Sequence, residues 1–536
     1  MDNQYLWKKY CSFFDQSFPE QLKYNRAKLS EHFSLWSQTK TAEKLCPHVN
    51  NFEEVPFTTY EDYPILDKFG NKVQEISANH SRKDGELSWE YYQRISKKAA
   101  PILKGWLPEK FLFCGTTTGT TGDSKWIPYG KTFKKNLTID SIALPIIGCS
   151  RKPGQTDLKA GDNILNILAP APHAAGTVLK AWQKEFELVP SIEVMESTNN
   201  MIKKLGLIID LIKDGKKIDV FGGVASPLKI LCDYLKDPRE LFQEYYKSVD
   251  FGVAKIYLFT KYLKEKYFGK KYEKLSEALP LKGIGTVGMD SKLYASYLKD
   301  EFELEPLNVF GCSEFGNIMY GRPECKQYLV PSLRSCYFEF IDPNNRVKQV
   351  DELEKNKLYE LAATGFGSML IRYKTGDLFR VIDFREDRMP ILDCEGRKDT
   401  WLDFYGYFRI SERVITDAII KAGLDGFEKW CVYKKVDHGS EKLIVLMEKI
   451  WGYSELKSSE KIFEALQKIS PNFNDYVNDF QIEQAEQIIK VKYLSRGSFI
   501  RFTMKMKNKG VPLGQIKVPK IITNNEKQYI KMLEGI

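Results

Sequence analysis

Three short segments, each following an apolar run, carry side chains suited to holding a nucleoside triphosphate. The first is GTTTGTTGDSK, Gly115 to Lys125. Its glycines let the backbone turn N–H groups toward an anion, its hydroxyls add donors, and its terminal lysine supplies positive charge. It is not a Walker A loop, which needs Gly-Lys followed by Ser or Thr; here the order is Gly122, Asp123, Ser124, Lys125, Trp126. Standing alone, the stretch is also readable as a flexible Thr/Gly hairpin turn. The second segment is NVFGCSEFG, Asn308 to Gly316. The ring of Phe310 can stack on a purine. Glu314 can hold Mg²⁺, a cation bound through few protein carboxylates plus phosphate oxygens. A turn with a solvated glutamate is the alternative. Gly311 to Gly316 spells GxSxxG rather than GxSxG, which removes a serine-hydrolase elbow. In the third, RYKTGDLFRV (Arg372 to Val381), an acidic residue follows a turn between two strands. Asp377 can accept hydrogen bonds from both ribose hydroxyls, or serve as an ordinary β-turn aspartate. The three in this order are far more specific than any one.

The order TTGTTGDSK, FGCSE, YKTGD and GRKD is similar to the core motifs of the adenylate-forming superfamily, which includes acyl-CoA synthetases, luciferases and peptide-synthetase adenylation domains. The ends narrow the resemblance. VPFTTYEDY near the start, and SPNFNDYVNDFQ, YLSRGSFIRF and LGQIKVPKII near the end, resemble the signatures of the GH3 acyl acid amido synthetases. What this implies is a large N-terminal domain, residues 1–398, that binds ATP and an acyl acid, built of mostly parallel sheets and helices plus a β-rich subdomain. A small mobile α+β domain, residues 399–536, would swing between two half-reactions.

Carried over by position, Thr117, Thr118, Gly119, Thr120, Thr121, Gly122 and Lys125 would cradle the phosphates. Phe310, with Gly311, Cys312 and Ser313, would face adenine. Glu314 would hold Mg²⁺, Asp377 the ribose, and Arg397 of GRKD the ribose or a phosphate. Asp399 stands where the superfamily places its hinge. Lys517 in GQIKVPK would stabilise charge at the reacting carboxylate and α-phosphate, with a surface lysine as the alternative. His173 in PAPHAAG would contact the substrate carboxylate or gate the pocket, or simply pack after a strand. The implied reaction is ATP-dependent formation of an acyl-AMP and transfer of the acyl group to an amine, expected to be that of an amino acid. Transfer to coenzyme A or another thiol, or a silent binding homologue, are the alternatives. The segment GRKDTWLDFYGYFRIS departs from the plant GH3 pattern, with one residue more between Gly406 and Arg409 than is usual.

Such residues need a scaffold. The stretch from Trp7 to about Cys46 has apolar residues at helical spacing, and FEEVPFTTYEDY follows as an extended entry. Apolar runs NILNILAP, IDVFGGV, GIGTVG and LNVFGC alternate with helical segments, which predicts an α/β fold with largely parallel strands. A β-rich stretch runs from SCYFEFID to DLFRVIDF. The C-terminal part reads as strand, helix, strand and helix over KWCVYKKV, KLIVLMEKI, SEKIFEALQKI and IIKVKYL, with the boundary placed near Arg397 to Trp401.

With 536 residues, two or three domains are expected. A net charge of +9, from 80 basic and 71 acidic residues mixed along the chain, does not suggest a nucleic-acid face. No run of about 18 apolar residues predicts a membrane span. The ten cysteines are scattered without a CxxC pair and read as reduced thiols. MDNQYLWKKYCSFF lacks the form of a secretory signal, so the cytoplasm is the expected compartment; the resemblance implies a monomer or homodimer acting on small molecules.

Overall fold

The computed structural model describes residues 4–116, 125–168, 170–197, 201–236, 259–260, 262–263, 272–288, 291–404, 408–424, 429–437, 440–448, 452–479, 481–508, 518–522 and 527–535. Residues 1–231 with 272–393 form one compact unit, and residues 232–271 with 394–536 another.

The first unit is organised on a seven-stranded sheet. In spatial order its strands are Val330–Pro331, Gly316–Tyr320, Leu307–Cys312, Gly283–Val287, Val220–Val224, Asn163–Leu165 and Glu187–Val189. The last five are mutually parallel, and Gly316–Tyr320 pairs antiparallel with both of its neighbours. The expected alternation is present, with helices Ala174–Trp182, Met201–Lys213 and Ser291–Phe302 falling between strands. Their apolar runs are continuous because parallel strands with helical crossovers are covered on both faces. A second sheet holds Val347–Gln349, Cys336–Ile341, Leu358–Gly365, Tyr373–Phe384 and Pro390–Arg397. Helix Lys131–Gly148, buried on every side over its last nine residues, packs on the first sheet. No described helix is long and apolar enough to cross a membrane. The ten cysteines are thiols rather than disulfides, six of them buried.

Asp140, on the buried face of that helix, gathers distant parts of the unit. It takes an ion pair from Arg334 at 2.5 Å and hydrogen bonds from Tyr320 Oη at 2.9 Å, Ser332 and Ser335. Arg334 also donates to the Tyr10 carbonyl at 3.1 Å and lies over the Phe14 ring. The two N-terminal helical segments, the central helix and the link between the sheets therefore meet at one buried charge pair.

In the second unit, strand Trp430–Asp437 pairs antiparallel with Ser440–Glu448, which pairs parallel with Ile489–Leu494. Helices Glu412–Lys421, Glu455–Ile469, Pro471–Asp479, Ser498–Asn508 and Lys527–Glu534 complete it. The order is strand, strand, helix, strand, which corrects the sequence reading at three of its four segments. Lys442 to Glu448 of this segment lie in the central strand: Leu443, Val445 and Met447 face one apolar cluster, Ile444 and Leu446 another. Burial of both faces erases the two-residue period by which a strand is told from a helix. SEKIFEALQKI is helical, capped by Ser454, with Ile462, Phe463 and Leu466 on its buried side.

A second buried titratable group gives the first unit a pH dependence. His32 receives the Gly367 N–H at Nδ1, 3.2 Å, and its Nε2 has no hydrogen-bond partner among the described residues. Burial pushes its pKa down from 6.5 to about 4. Between those values the unfolded chain binds a proton that the folded chain refuses. Stability therefore rises with pH across the window and is lost as pH falls from 6.5 toward 4.

Two outcomes are expected. Asp140→Ala leaves Arg334 charged and buried without its partner, and lowers the unfolding free energy by roughly 3–5 kcal/mol in denaturant titration; a loss under about 1 kcal/mol contradicts the role given to this pair. His32→Gln flattens the dependence of stability on pH between 6.5 and 4, where the wild-type chain loses roughly 3 kcal/mol. Equal slopes in the two proteins remove His32 as the source.

Candidate functional site

The Thr/Gly-rich segment joins two paired strands, Phe113–Thr116 and Trp126–Tyr129, with Thr116 opposite Trp126. Thr117, Thr118, Gly119, Thr120, Thr121 and Gly122 lie outside the described residues, as does Lys517. What the structure gives is the frame on either side of the loop. Gly115 is required there, because a Cβ would stand 2.9 Å from the Tyr129 hydroxyl. Thr116 donates its N–H to the Pro172 carbonyl at 2.9 Å, and its hydroxyl is 3.3 Å from His173 Nδ1. His173 is half-buried before helix Ala174–Trp182, and burial pushes its pKa below the ordinary value, so the ring is neutral at pH 7.

The segment NVFGCSEFG forms a hairpin. Strand Leu307–Cys312 turns through Ser313, Glu314 and Phe315 into Gly316–Tyr320, with Cys312 paired to Gly316. Gly316 has φ +75° and its missing Cβ would lie 2.5 Å from Leu137 Cδ1, so both backbone and packing demand glycine. Ser313 ties this turn to the first motif. Its carbonyl accepts the Tyr129 hydroxyl, and its own hydroxyl donates to the Thr116 carbonyl at 3.2 Å. Phe310 is half-buried and meets Phe379 edge-on, with centroids 4.9 Å apart.

Asp377 does not follow a turn between two strands, as the sequence suggested, but lies within one long strand, Tyr373–Phe384. The pairing jumps from Ala362 opposite Lys374 to Glu360 opposite Leu378, so Leu361 alone faces Thr375, Gly376 and Asp377. Gly376 takes φ +79°, and the Thr375 hydroxyl reaches the Leu361 carbonyl at 3.3 Å. A bulge of this kind re-aims a side chain without ending the strand.

The strand is entered through Arg372, itself at φ +44°. Its guanidinium pairs with Glu339 through Nη2 at 2.8 Å and Nε at 3.1 Å, and donates from Nη1 to the carbonyls of Glu53 and Val55 at 2.8 and 2.6 Å. Its N–H goes to Thr364 Oγ1 at 2.9 Å. Thr58 then pairs with Tyr373, giving its N–H to the Arg372 carbonyl and accepting the Lys374 N–H. VPFTTYEDY is thereby laid along the Asp377 strand.

Electrostatics join the motifs. The thiol of Cys312 is pushed well above its ordinary value by burial, then by the charges of Glu314 and Asp377. Glu314 also raises the phenols of Tyr60, Tyr129 and Tyr373, in each case after the larger effect of burial. Lys125 stands with Nζ 4.3 Å from the Tyr60 ring centroid. Glu314 thus acts on three of these phenols and on the Cys312 thiol, Asp377 acts on the same thiol, and Lys125 lies against the ring of Tyr60. Arg397 ends the strand Pro390–Arg397 in an exposed position, and Asp399 falls in the 3₁₀ turn Lys398–Thr400; both belong to the second unit.

Sequence reasoning passed over Tyr60, Tyr129, Tyr373 and Arg372. Tyr60 and Arg372 lay inside motifs already singled out, so a signal existed; Tyr129 had none, since nothing in WIPY marks a hydroxyl that reaches Ser313.

The GH3 family central domain matches residues 329–397. A search of curated proteins by sequence returns no match. Among solved structures, the chain is similar to the AtGH3.15 acyl acid amido synthetase in complex with 2,4-DB, at TM-score 0.68 and 16% identity over 100% of this chain and 97% of that one. A second structure of GH3.15 acyl acid amido synthetase gives TM-score 0.63 at 16% identity, over 94% and 91%. A 2-hydroxyisobutyryl-CoA ligase in the postadenylation state gives 0.54 at 11% identity, over 97% and 94%. Residues 329–397 match the model of the GH3 family central domain, and the chain has the α/β fold seen in the two acyl acid amido synthetase structures.

Proposed function

We propose that the chain is an ATP-dependent acid–amine ligase: it converts a carboxylic acid to its acyl-AMP, then passes the acyl group to an amine, that of an amino acid, with release of AMP. What supports this reading is that Lys125, Glu314 and Asp377, far apart in sequence, are linked through shared neighbours: Glu314 acts on Tyr60 and on Cys312, Lys125 lies against the Tyr60 ring, and Asp377 acts on Cys312. A triphosphate needs a cation, a metal-binding carboxylate and a ribose acceptor close together, and these three residues are one of each.

In the first half-reaction a carboxylate oxygen of the acid attacks the α-phosphorus of ATP, and the bond to pyrophosphate breaks. Lys125, with the loop residues 117–122, neutralises the departing phosphates. Lys517 stabilises the charge shared by carboxylate and α-phosphate. Asp377 holds the ribose and Phe310 faces the adenine, beside Gly311, Cys312 and Ser313. Among the described residues no group of three or more His, Cys, Asp or Glu forms a cage, which suits Mg²⁺ held by Glu314 and phosphate oxygens. When bound, that ion would supply charge neutralisation along the phosphates. His173, beside Thr116 and with burial lowering its pKa, would donate a ring N–H to the substrate carboxylate.

In the second half-reaction the neutral amine attacks the acyl carbon, and the C–O bond to AMP breaks. Residues 399–536 act as the mobile domain, turning at Asp399 with Arg397 beside it on the ribose or phosphate; closure excludes water from the anhydride. Similarity to a coenzyme A ligase fold keeps a thiol acceptor as the competing reading.

The test measures pyrophosphate release with a panel of carboxylic acids, with pooled amino acids or with coenzyme A, and identifies products by mass spectrometry. An acyl-amino acid amide is expected; a thioester moves the chain to the thiol ligases. Glu314→Ala and Asp377→Ala are each expected to cut acid-dependent release roughly 100-fold or more with unchanged melting temperature. Wild-type release in either variant removes that residue from the site.

A further inference from the structure

Tyr129 closes the strand Trp126–Tyr129, opposite Phe113, and is almost wholly buried. Its ring lies flat on Phe133, with centroids 4.3 Å apart and planes within 2°, and meets Phe113 at 4.7 Å. Gly115, two residues along the partner strand, has no side chain where the hydroxyl stands; a Cβ there would lie 2.9 Å from it. Packed between rings and held beside Gly115, the hydroxyl donates to the Ser313 carbonyl.

That carbonyl belongs to the peptide that enters Glu314. A peptide unit is planar, so fixing the direction of its C=O fixes the Glu314 N–H and the plane from which the Glu314 Cα departs. Only Ser313, Glu314 and Phe315 lie between Cys312 and Gly316, which are paired, and the Phe315 N–H closes on the Cys312 carbonyl at 3.3 Å. The Ser313 hydroxyl adds a second tie, to the Thr116 carbonyl at 3.2 Å. Both ties run from the strands that bracket the Thr/Gly-rich segment to the turn that carries Glu314. Mg²⁺ demands near-ideal octahedral geometry. A carboxylate that shares the ion with phosphates must therefore keep a set distance from the loop that holds them.

We propose that Tyr129 is a positioning residue for the metal-bound nucleotide: by holding the peptide before Glu314, its hydroxyl sets that carboxylate against the phosphate loop so that the two share one Mg²⁺. The proposal rests on the adenylation reading, in which Glu314 takes the ion and residues 117–122 the phosphates.

The test measures ATP affinity of the full chain by equilibrium dialysis, in EDTA and across a Mg²⁺ titration, for wild type, Tyr129→Phe, Glu314→Gln and the double variant. Tyr129→Phe keeps the ring and its packing and removes only the donor. It is expected to raise the Mg²⁺ concentration at half-effect roughly 3- to 10-fold, while affinity in EDTA stays within about twofold of wild type. At one subsaturating Mg²⁺ concentration, the loss of ATP affinity caused by Tyr129→Phe shrinks to less than about twofold in the Glu314→Gln background, because the ligand it positions is already gone. Equal losses in EDTA and in Mg²⁺ mean that the hydroxyl only supports the frame of the loop, and overturn the proposal. An unchanged Mg²⁺ titration, or an undiminished loss beside Glu314→Gln, does the same. A wild-type chain that binds no ATP under either condition overturns the adenylation reading together with this one, whereas wild-type ATP binding with a Tyr129→Phe loss independent of Mg²⁺ removes Tyr129 alone.

Discussion

The strand that carries Asp377 and the segment that carries Tyr60 are held together at the Arg372–Glu339 pair. Arg372 is buried, so each of its donors must be answered inside the protein, and they are answered by a carboxylate, two carbonyls of the segment before Thr58, and a threonine of the neighbouring strand. The carboxyl of Glu339 is raised above its ordinary range by burial, against the pull of Arg372. Such a pair gains little net stability over an apolar replacement, because desolvation offsets the attraction. Its contribution is to geometry. A residue at φ +44° has left the ladder, and only this set of partners holds it there while the chain re-enters the sheet at Tyr373.

From that anchor the site is assembled in two directions. Forward along the strand, the bulge of Thr375 to Asp377 interrupts the ladder at the residue that bears the carboxylate. Backward through Thr58, the N-terminal segment is brought alongside, and with it Tyr60 under Lys125. The Ser313 turn closes the third side by joining Tyr129 and Thr116. Asp140 acts as the counterpart deeper in the unit, fixing the central helix on which the sheet rests.

How much of this the sequence disclosed depends on where each interaction lies. The parallel sheet was legible because IDVFGGV, GIGTVG and LNVFGC are compact apolar runs bounded by glycine, and local composition suffices for such strands. The second unit was misread over KLIVLMEKI because two-sided burial leaves no period. Glu314 and Asp377 were visible as acids in turn-like motifs, but the bulge that aims Asp377 is a property of pairing with Leu361, a residue on another strand. Tyr60 stood in a recognised segment and acquired its partner only through folding. Arg372 was quoted as the first letter of a motif; nothing near it in sequence announces Glu339.

Adenylation as the proposed first chemical step is tested alone by isotope exchange between labelled pyrophosphate and ATP. With a carboxylic acid from the panel and Mg²⁺, and with neither amine nor thiol present, label is expected to enter ATP, and to do so only when the acid is supplied. Acid-dependent turnover of ATP to ADP and phosphate, with no label entering ATP, would contradict the account.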